Sequence, residues 1–214
     1  MTVIDHSEKV FIVRIFLTVL ILIFYIQSLT KADDIRDFEI EGISIGDSLL
    51  DYFSEEEILK NIKWHYNDDK TNNKFVIVEF YNLKSLEHYH GIQFGIKTED
   101  KNYKIYVIAG AILYKNNIED CYSKMSEIDN ELSLIFKESV KQEKRNSIYR
   151  GDSSGKSIYS SIYYYFEDDN KNASRKANAS IQCYDFDEEY SSTDNLRIGI
   201  RSSEFRDWYF TSLK

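Results

Sequence analysis

The 214-residue chain has no proline, two cysteines, four histidines and eight glycines, and its 36 acidic side chains outnumber 27 basic ones. Each shortage removes a class of explanation. With two cysteines, no Cys-x-x-Cys and no Cys/His cluster, nothing suggests dithiol redox or zinc chemistry. At a net charge of −9 the chain will not hold nucleic acid or an anionic membrane through bulk charge. Solubility, or cationic partners, are the readings that survive. No repeat of solenoid period is visible, which argues against a repeat array. The missing proline accompanies abundant Asn, Lys, Ile and Tyr, a pattern of AT-rich codons rather than a structural demand, and no mechanism follows from it.

What is present is aromatic. Phe, Trp and Tyr make up 15% of the chain, with 17 Tyr and 13 Phe, and hydrophobic residues reach 43%. That composition argues against global disorder and predicts a core with many polar-tipped rings. The length bounds the chain to one ordinary domain or two small ones.

Val10 to Ile26 is almost purely apolar, with Arg14 its only charge. One reading is a secretory signal peptide: a hydrophobic region followed by Gln27 to Ala32, with Thr30 and Ala32 at the −3 and −1 positions of a cleavage site that leaves Asp33 as the N-terminus. The other is an uncleaved anchor, because residues 10–29 approach the roughly 20 residues that span a bilayer. On either reading residues 33–214 are exported, to the periplasm or held outside the cytoplasm from the inner membrane. If the segment is retained, residues 10–29 are the only expected membrane contact. Loss of residues 1–32 removes Lys9, Arg14 and Lys31 against Asp5 and Glu8, which moves the net charge from −9 to −10. Both cysteines, Cys121 and Cys183, lie in the exported part. In an oxidising compartment they most economically form one disulfide, the alternative being two separately buried thiols.

Phe38 to Ile45 alternates apolar and polar residues and meets Gly46, which predicts a short extended segment. Ser48 with Asp51, and Ser54 with Glu57, each have the spacing of a capping box, the second opening a helix over residues 55–62. On that reading Ser48 accepts the Asp51 N–H, and Leu49, Leu50 and Phe53 face the core. Strand patterns follow at 74–81, 91–97 and 103–114, the last apolar on both faces and so expected in the centre of a sheet. Ile118, Cys121, Tyr122, Met125, Ile128, Leu132, Ile135 and Phe136 recur at steps of three and four and predict a long amphipathic helix over about 117–140. Lys141 to Lys156 is polar and basic and reads as a solvated connector. Strand patterns at 157–166, 179–186 and 196–201 precede a short helix begun by Ser202 or Ser203, with Phe205, Trp208 and Tyr209 on one face. The class is α+β, with an antiparallel sheet of about six strands in two α-βββ halves, 33–115 and 116–214, of one exported domain.

Four groups of residues could carry chemistry. The letters Gly46-Asp-Ser-Leu49 match the GDSL hydrolases, in which the serine needs a histidine base from an Asp-x-x-His motif near the C-terminus. Here the last histidine is His90, no Asp-x-x-His occurs and no Gly-x-Asn-Asp block completes an oxyanion hole, so Ser48 reads as a cap rather than a nucleophile. His88 and His90, two apart, could share a metal if placed on a strand, with His65 the remaining exported histidine to complete the set. Asp185, Asp187, Glu188, Glu189 and Asp194 form the densest acidic cluster, but Tyr190 stands where a calcium loop needs glycine, and a solvated turn is the simpler reading. The sequons at Asn172 and Asn178 matter only in a eukaryotic secretory pathway. No cofactor is implied.

Phe38 to Ser54, Ile181 to Phe186 and Glu204 to Trp208 resemble a group of small exported bacterial proteins of unknown function, a likeness that spans nearly all of the exported chain and carries no activity. Residues 38–114 are also similar to the SmpA/OmlA outer-membrane assembly lipoproteins in their glycine-containing start, short helices and three-stranded meander, although the lipidated cysteine is absent. The expectation is a non-catalytic envelope protein that binds another protein or an envelope component through its sheet or its aromatic surface. The alternative is a hydrolase at Ser48 or a metal-dependent enzyme at His88 and His90.

Overall fold

Ser54 starts the first helix as its spacing predicts. Its side chain accepts the Glu57 N–H while the Glu57 carboxylate accepts the Ser54 N–H, and three glutamates fill the first turn of α1 (Glu55–Lys60). The computed structural model of the chain describes residues 35, 38–65, 74–115, 117–166 and 175–212, without the side chains of 64, 65 and 212. The expected export segment, residues 1–32, and Asn172 lie outside them, and the described residues belong to one unit, Ala32–Lys214. Among the described residues no helix is long and apolar enough to cross a membrane.

Before α1, strands β1 (Glu39–Ile40) and β2 (Ile43–Ser44) form a hairpin that buries Ile40 and Ile43. Its two-residue turn, Glu41 and Gly42, has φ of 54° and 74°, the sign that matches strand twist in a tight hairpin. The Glu41 carboxylate accepts the N–H groups of Glu87 (3.3 Å) and His88 (2.9 Å), which fastens the hairpin to a loop far along the chain.

Eight strands follow in one antiparallel sheet: β3 (Ile62–His65), β4 (Phe75–Tyr81), β5 (Gly91–Lys97), β6 (Ile105–Leu113), β7 (Val140–Ile148), β8 (Ile158–Phe166), β9 (Ala177–Asp185) and β10 (Asn195–Arg201). Their order is β3-β4-β5-β6-β10-β9-β8-β7. Each half is therefore a helix followed by a four-stranded meander, and the two meanders meet where β6 pairs with β10. The expectation of a central third run holds, since β6 is one of the two middle strands.

The sheet has two strands more than the six expected. β3 is four residues long: Ile62 falls at the end of the expected helix and 63–65 have no expected element. β7 takes the last residue of the expected helix, Val140, and the start of the expected connector, because its sequence, VKQEKRNSI, has no alternation, and Ser147 is its only residue that is not exposed. A strand at a sheet margin that runs beyond the covering helix needs no apolar face. Both margins are bulged, between Ile62 and Trp64 in β3 and between Lys144 and Ser147 in β7.

The long helix α2 (Ile118–Ile135), capped by Asn117, ends earlier than the expected residue 140. Phe136 turns inward instead, with its ring 4.7 Å from Phe166 and 5.6 Å from Tyr164. Lys141, expected near the helix end, lies in β7 and reaches back to Asp129 of α2 at 2.6 Å, while Tyr164 donates to the same carboxylate at 2.5 Å. α2 lies across β9 and β10 and buries Cys121, Met125 and Leu132. Cys121 and Cys183 of β9 are joined by a disulfide with an S–S distance of 2.08 Å.

The main core fills the space between the helices and one face of the sheet, with Phe94, Ile108, Ile162, Ile181 and Ile200 almost fully buried. The final helix α3 (Ser203–Ser212) packs on the other face. There Phe205 and Trp208 join Phe75 and Val107 in a second, smaller cluster, with the Phe75 ring 5.2 Å from Phe205 and 5.1 Å from Trp208. The Ser202 hydroxyl accepts the Phe205 N–H at 3.2 Å, which makes Ser202 the cap of that helix.

The disulfide closes a loop of 62 residues, so replacing both cysteines by alanine lowers unfolding free energy by about 4 kcal/mol in the chain-entropy model. Ser54→Ala lowers it by about 1 kcal/mol through the lost cap. Urea titration of the full chain, with thiols counted under non-reducing conditions, checks both. Two free thiols in the unmodified protein contradict the first.

Candidate functional site

Among the described residues, the groups singled out in the sequence are not brought together. Ser48 caps a 3-10 helix, Leu49–Asp51. Its Oγ accepts the Leu50 N–H at 3.2 Å and donates to the Asn102 carbonyl at 2.7 Å. The expected bond from Asp51 goes instead to the Ser48 carbonyl, because the tighter turn shifts the pairing by one residue. Leu50 is correspondingly 41% exposed, whereas Leu49 is buried and Phe53 stacks on Phe80 at 4.0 Å. The proton that a base would remove from Ser48 is committed to a carbonyl, and no hydrogen bond of this serine involves a histidine.

His88 and His90 precede β5 rather than lying within it. The His88 Nδ1 stands 3.6 Å from Glu41. The His90 Nδ1 accepts the Leu113 N–H at 3.3 Å. Between them Tyr89 turns the other way and covers Gly110, where a Cβ would meet its ring. The side chain of His65 lies outside the described residues. Among the described residues no group of three or more His, Cys, Asp or Glu could hold a metal.

The carboxylates between 185 and 194 are engaged separately. Asp194 accepts the Phe186 N–H at 2.8 Å, Asp187 accepts the Glu189 N–H at 3.1 Å, and Lys156 bridges Glu189 at 3.0 Å and Asp187 at 3.6 Å. Asn178, the second sequon, is 2% exposed in β9.

The surface that stands out is the face of the sheet away from α1 and α2. Strand register places residues in rows across it. One row runs Tyr81, Gly91, Ala111, Arg197, Gln182, Ser161. The next runs Glu79, Gln93, Ala109, Gly199, Ser180, Tyr163. The third contains Gly95, Val107, Arg201, Asn178 and Tyr165, and α3 covers its Val107 end. The middle of this face is floored by glycine, alanine and serine and walled by tyrosines. The Tyr81 ring lies against Gly91, where a Cβ would stand 2.6 Å from it, and Tyr81 remains 49% exposed.

Beyond the middle the rings gather into a cluster. Tyr184 stacks on Tyr159 and on Phe186, each at 5.7 Å, and Phe186 stacks on Tyr190 at 5.3 Å. Tyr149 meets Tyr184 edge-on at 5.6 Å. Asp152 fixes the loop that carries Tyr149 by accepting the hydroxyls of Ser154 (2.7 Å) and Ser157 (2.6 Å), and those bonds hold its carboxyl well below the usual range. Ser157 also accepts the Asp187 N–H at 3.0 Å, which ties the loops of Tyr149 and Tyr190 together.

Two arginines stand among these rings. The Arg197 guanidinium lies 5.2 Å from the Tyr184 ring centre, and its Nε donates to Asn195 at 3.2 Å. Arg201 donates to Ser180 at 2.9 Å and to the Gln182 carbonyl oxygen at 3.3 Å. Among the described residues neither is paired with a carboxylate. The acidic residue in these rows, Glu79, accepts from the Gln93 amide. Burial pushes the Tyr184 phenol up to about 12 and raises Tyr81, Tyr159 and Tyr165, so the face presents neutral hydroxyls at physiological pH.

A signal for this face was available in the sequence. In β8 the inward set is Ile158, Ser160, Ile162, Tyr164 and Phe166, and the alternate set, Tyr159, Ser161, Tyr163 and Tyr165, is aromatic at three of its four positions and uncharged. Exposed aromatic residues grouped on one face are common at contact surfaces. No family model, curated protein or solved structure matches the chain.

Tyr89 and Tyr184 both sit at about 12 in the folded protein, against an ordinary value of 10.0. Between those values the unfolded chain has released phenolic protons that the folded chain keeps, so stability is intact below pH 10 and falls as pH rises to about 12. Denaturation midpoints across that window check the sign, and Tyr184→Phe shallows the fall.

Proposed function

We propose that this chain is a non-catalytic binding module of the cell envelope, which holds another protein or an envelope component against the aromatic surface on the side of its sheet opposite α1 and α2. One observation carries the reading: α1, α2 and the main core occupy one face, α3 covers one end of the other, and the rest of that second face presents tyrosines and arginines above small residues. Tyrosine and arginine are the side chains that most often dominate binding energy at interfaces, because they combine contact area with directed donors. The disulfide suits an oxidising compartment, and the likeness of residues 38–114 to the SmpA/OmlA lipoproteins suits an envelope location. Export by way of residues 1–32, whether cleaved or retained, belongs to the same reading. The arrangement of Ser48, His88 and His90 lends no support to a hydrolase or a metal-dependent enzyme.

A photo-crosslinking amino acid placed at Tyr81 or Tyr163 of the full chain, in cells that make it, is expected to give discrete adducts. The same group at Leu134 on α2, which is 70% exposed, is expected to give none. Adducts from Leu134 and none from the sheet face defeat the proposal. Ser48→Ala is expected to cost about 1 kcal/mol of stability and to leave the adducts unchanged.

A further inference from the structure

The binding reading leaves the chemistry of the ligand open, and the residues around Tyr81 narrow it. Most rings on this side of the sheet stack on one another: Tyr159 on Tyr184, Tyr184 on Phe186, Phe186 on Tyr190 and Tyr163 on Tyr165. Tyr81 stands apart from them at the end of β4. It is the most exposed of the described aromatic side chains, at 49%, and its ring takes the place that a side chain on Gly91 would fill. A ring held from below by backbone and wet on its outer side is free to take a ligand there.

Polar groups of opposite charge stand beside that ring. Glu79, two residues earlier on β4, is 8% exposed and accepts from the amide of the half-buried Gln93. Both groups reach the Tyr81 hydroxyl, whose pKa is raised by burial and then by the Glu79 charge, with the Arg197 charge opposing. Register sets Tyr81, Gly91, Ala111 and Arg197 in one row, so Tyr81 and Arg197 start about 14 Å apart, three strand spacings. Ala111 between them is partly exposed.

This set of groups selects a kind of ligand. One carboxylate and one guanidinium leave it without net charge, so it favours neither an acidic nor a basic partner. An apolar segment laid over it would cut the remaining water from Gln93 and Arg197 and give nothing in return. What the group offers is an exposed ring together with planar donors and acceptors: a carboxylate, an amide, and a guanidinium whose Nε goes to Asn195 and whose fork carries four more N–H groups. A sugar answers each of these. The C–H groups on one side of a pyranose pack on a phenol ring, and its neighbouring hydroxyls both donate and accept, which suits two-pronged planar side chains.

We infer that Tyr81, Glu79, Gln93 and Arg197 form a binding site for an uncharged glycan, with one sugar ring against the exposed side of Tyr81 and its hydroxyls bonded to the amide, carboxylate and guanidinium. This inference rests on the binding reading above and names the envelope component. The probes are cellotetraose, maltotetraose and N-acetylchitotetraose at millimolar concentration, each titrated into the full chain and followed by calorimetry. At least one is expected to bind. Its affinity is expected to fall about tenfold in Tyr81→Ala and in Gln93→Ala and to be largely kept in Tyr81→Phe, which preserves the ring. Melting curves of the variants keep folding separate from binding. Binding of none of the three, binding that Tyr81→Ala leaves unchanged, or Tyr81→Phe as weak as Tyr81→Ala overturns the inference. If no sugar binds while the photo-crosslinker at Tyr81 or Tyr163 gives protein adducts, the glycan fails and the binding module stands with a protein as its ligand. If there is neither sugar binding nor any adduct from the sheet face, the binding reading itself falls.

Discussion

The pairing of β6 with β10 is the contact on which the rest of this structure depends. Seven residues on each strand align, from Val107 opposite Arg201 to Leu113 opposite Asn195. Without that seam the chain is two four-stranded meanders, each with exposed margins. With it, one core runs behind all but the outermost strands. The seam is close because small residues meet there. A Cβ on Gly199 would stand 3.0 Å from that of Ala109, and one on Gly110 would collide with the Tyr89 ring. Gly110 admits Tyr89 on the helix side, and Gly199 leaves the opposite side level.

The two halves share an order of elements but not a way of covering their sheet. In the second, an 18-residue helix lies across β9 and β10 and is fastened by the Cys121–Cys183 bond near one end and the Asp129 contacts with Tyr164 and Lys141 near the other. In the first, α1 has six residues, and the cover is completed by the β1–β2 hairpin and by Leu83, Leu86 and Tyr89 from the loop before β5. Glu41 binds those two pieces to each other through the backbone of Glu87 and His88. His88 and His90 flank Tyr89 in this loop and are themselves exposed.

Most of the fold could be read from periodicity wherever an element has one buried face. The capping serine of α1 follows from its spacing to Glu57, and the register of α2 residues on the core, the central place of β6 and the face of α3 follow from apolar spacing. Reading failed at the two margins, where β3 is short and β7 is solvated on both faces, because there burial imposes no pattern to detect. The candidate face was only half legible. Tyr159, Tyr163 and Tyr165 announce an unusual outward surface in one strand, but that Arg197, Gln93 and Tyr81 share it depends on the β6–β10 register, which no local pattern encodes.

The bulged, polar margins of the sheet have a consequence for how anything could join it. Lys144 and Ser147 flank the irregularity in β7, with Asn146 at a φ of 47°, and β3 is broken between Ile62 and Trp64. Interrupted edges of this kind do not template a further strand. A partner of the proposed kind would be left with the broad side, where recognition rests on side chains instead of main-chain hydrogen bonds. Such a surface can be rewritten one residue at a time while the scaffold beneath stays the same.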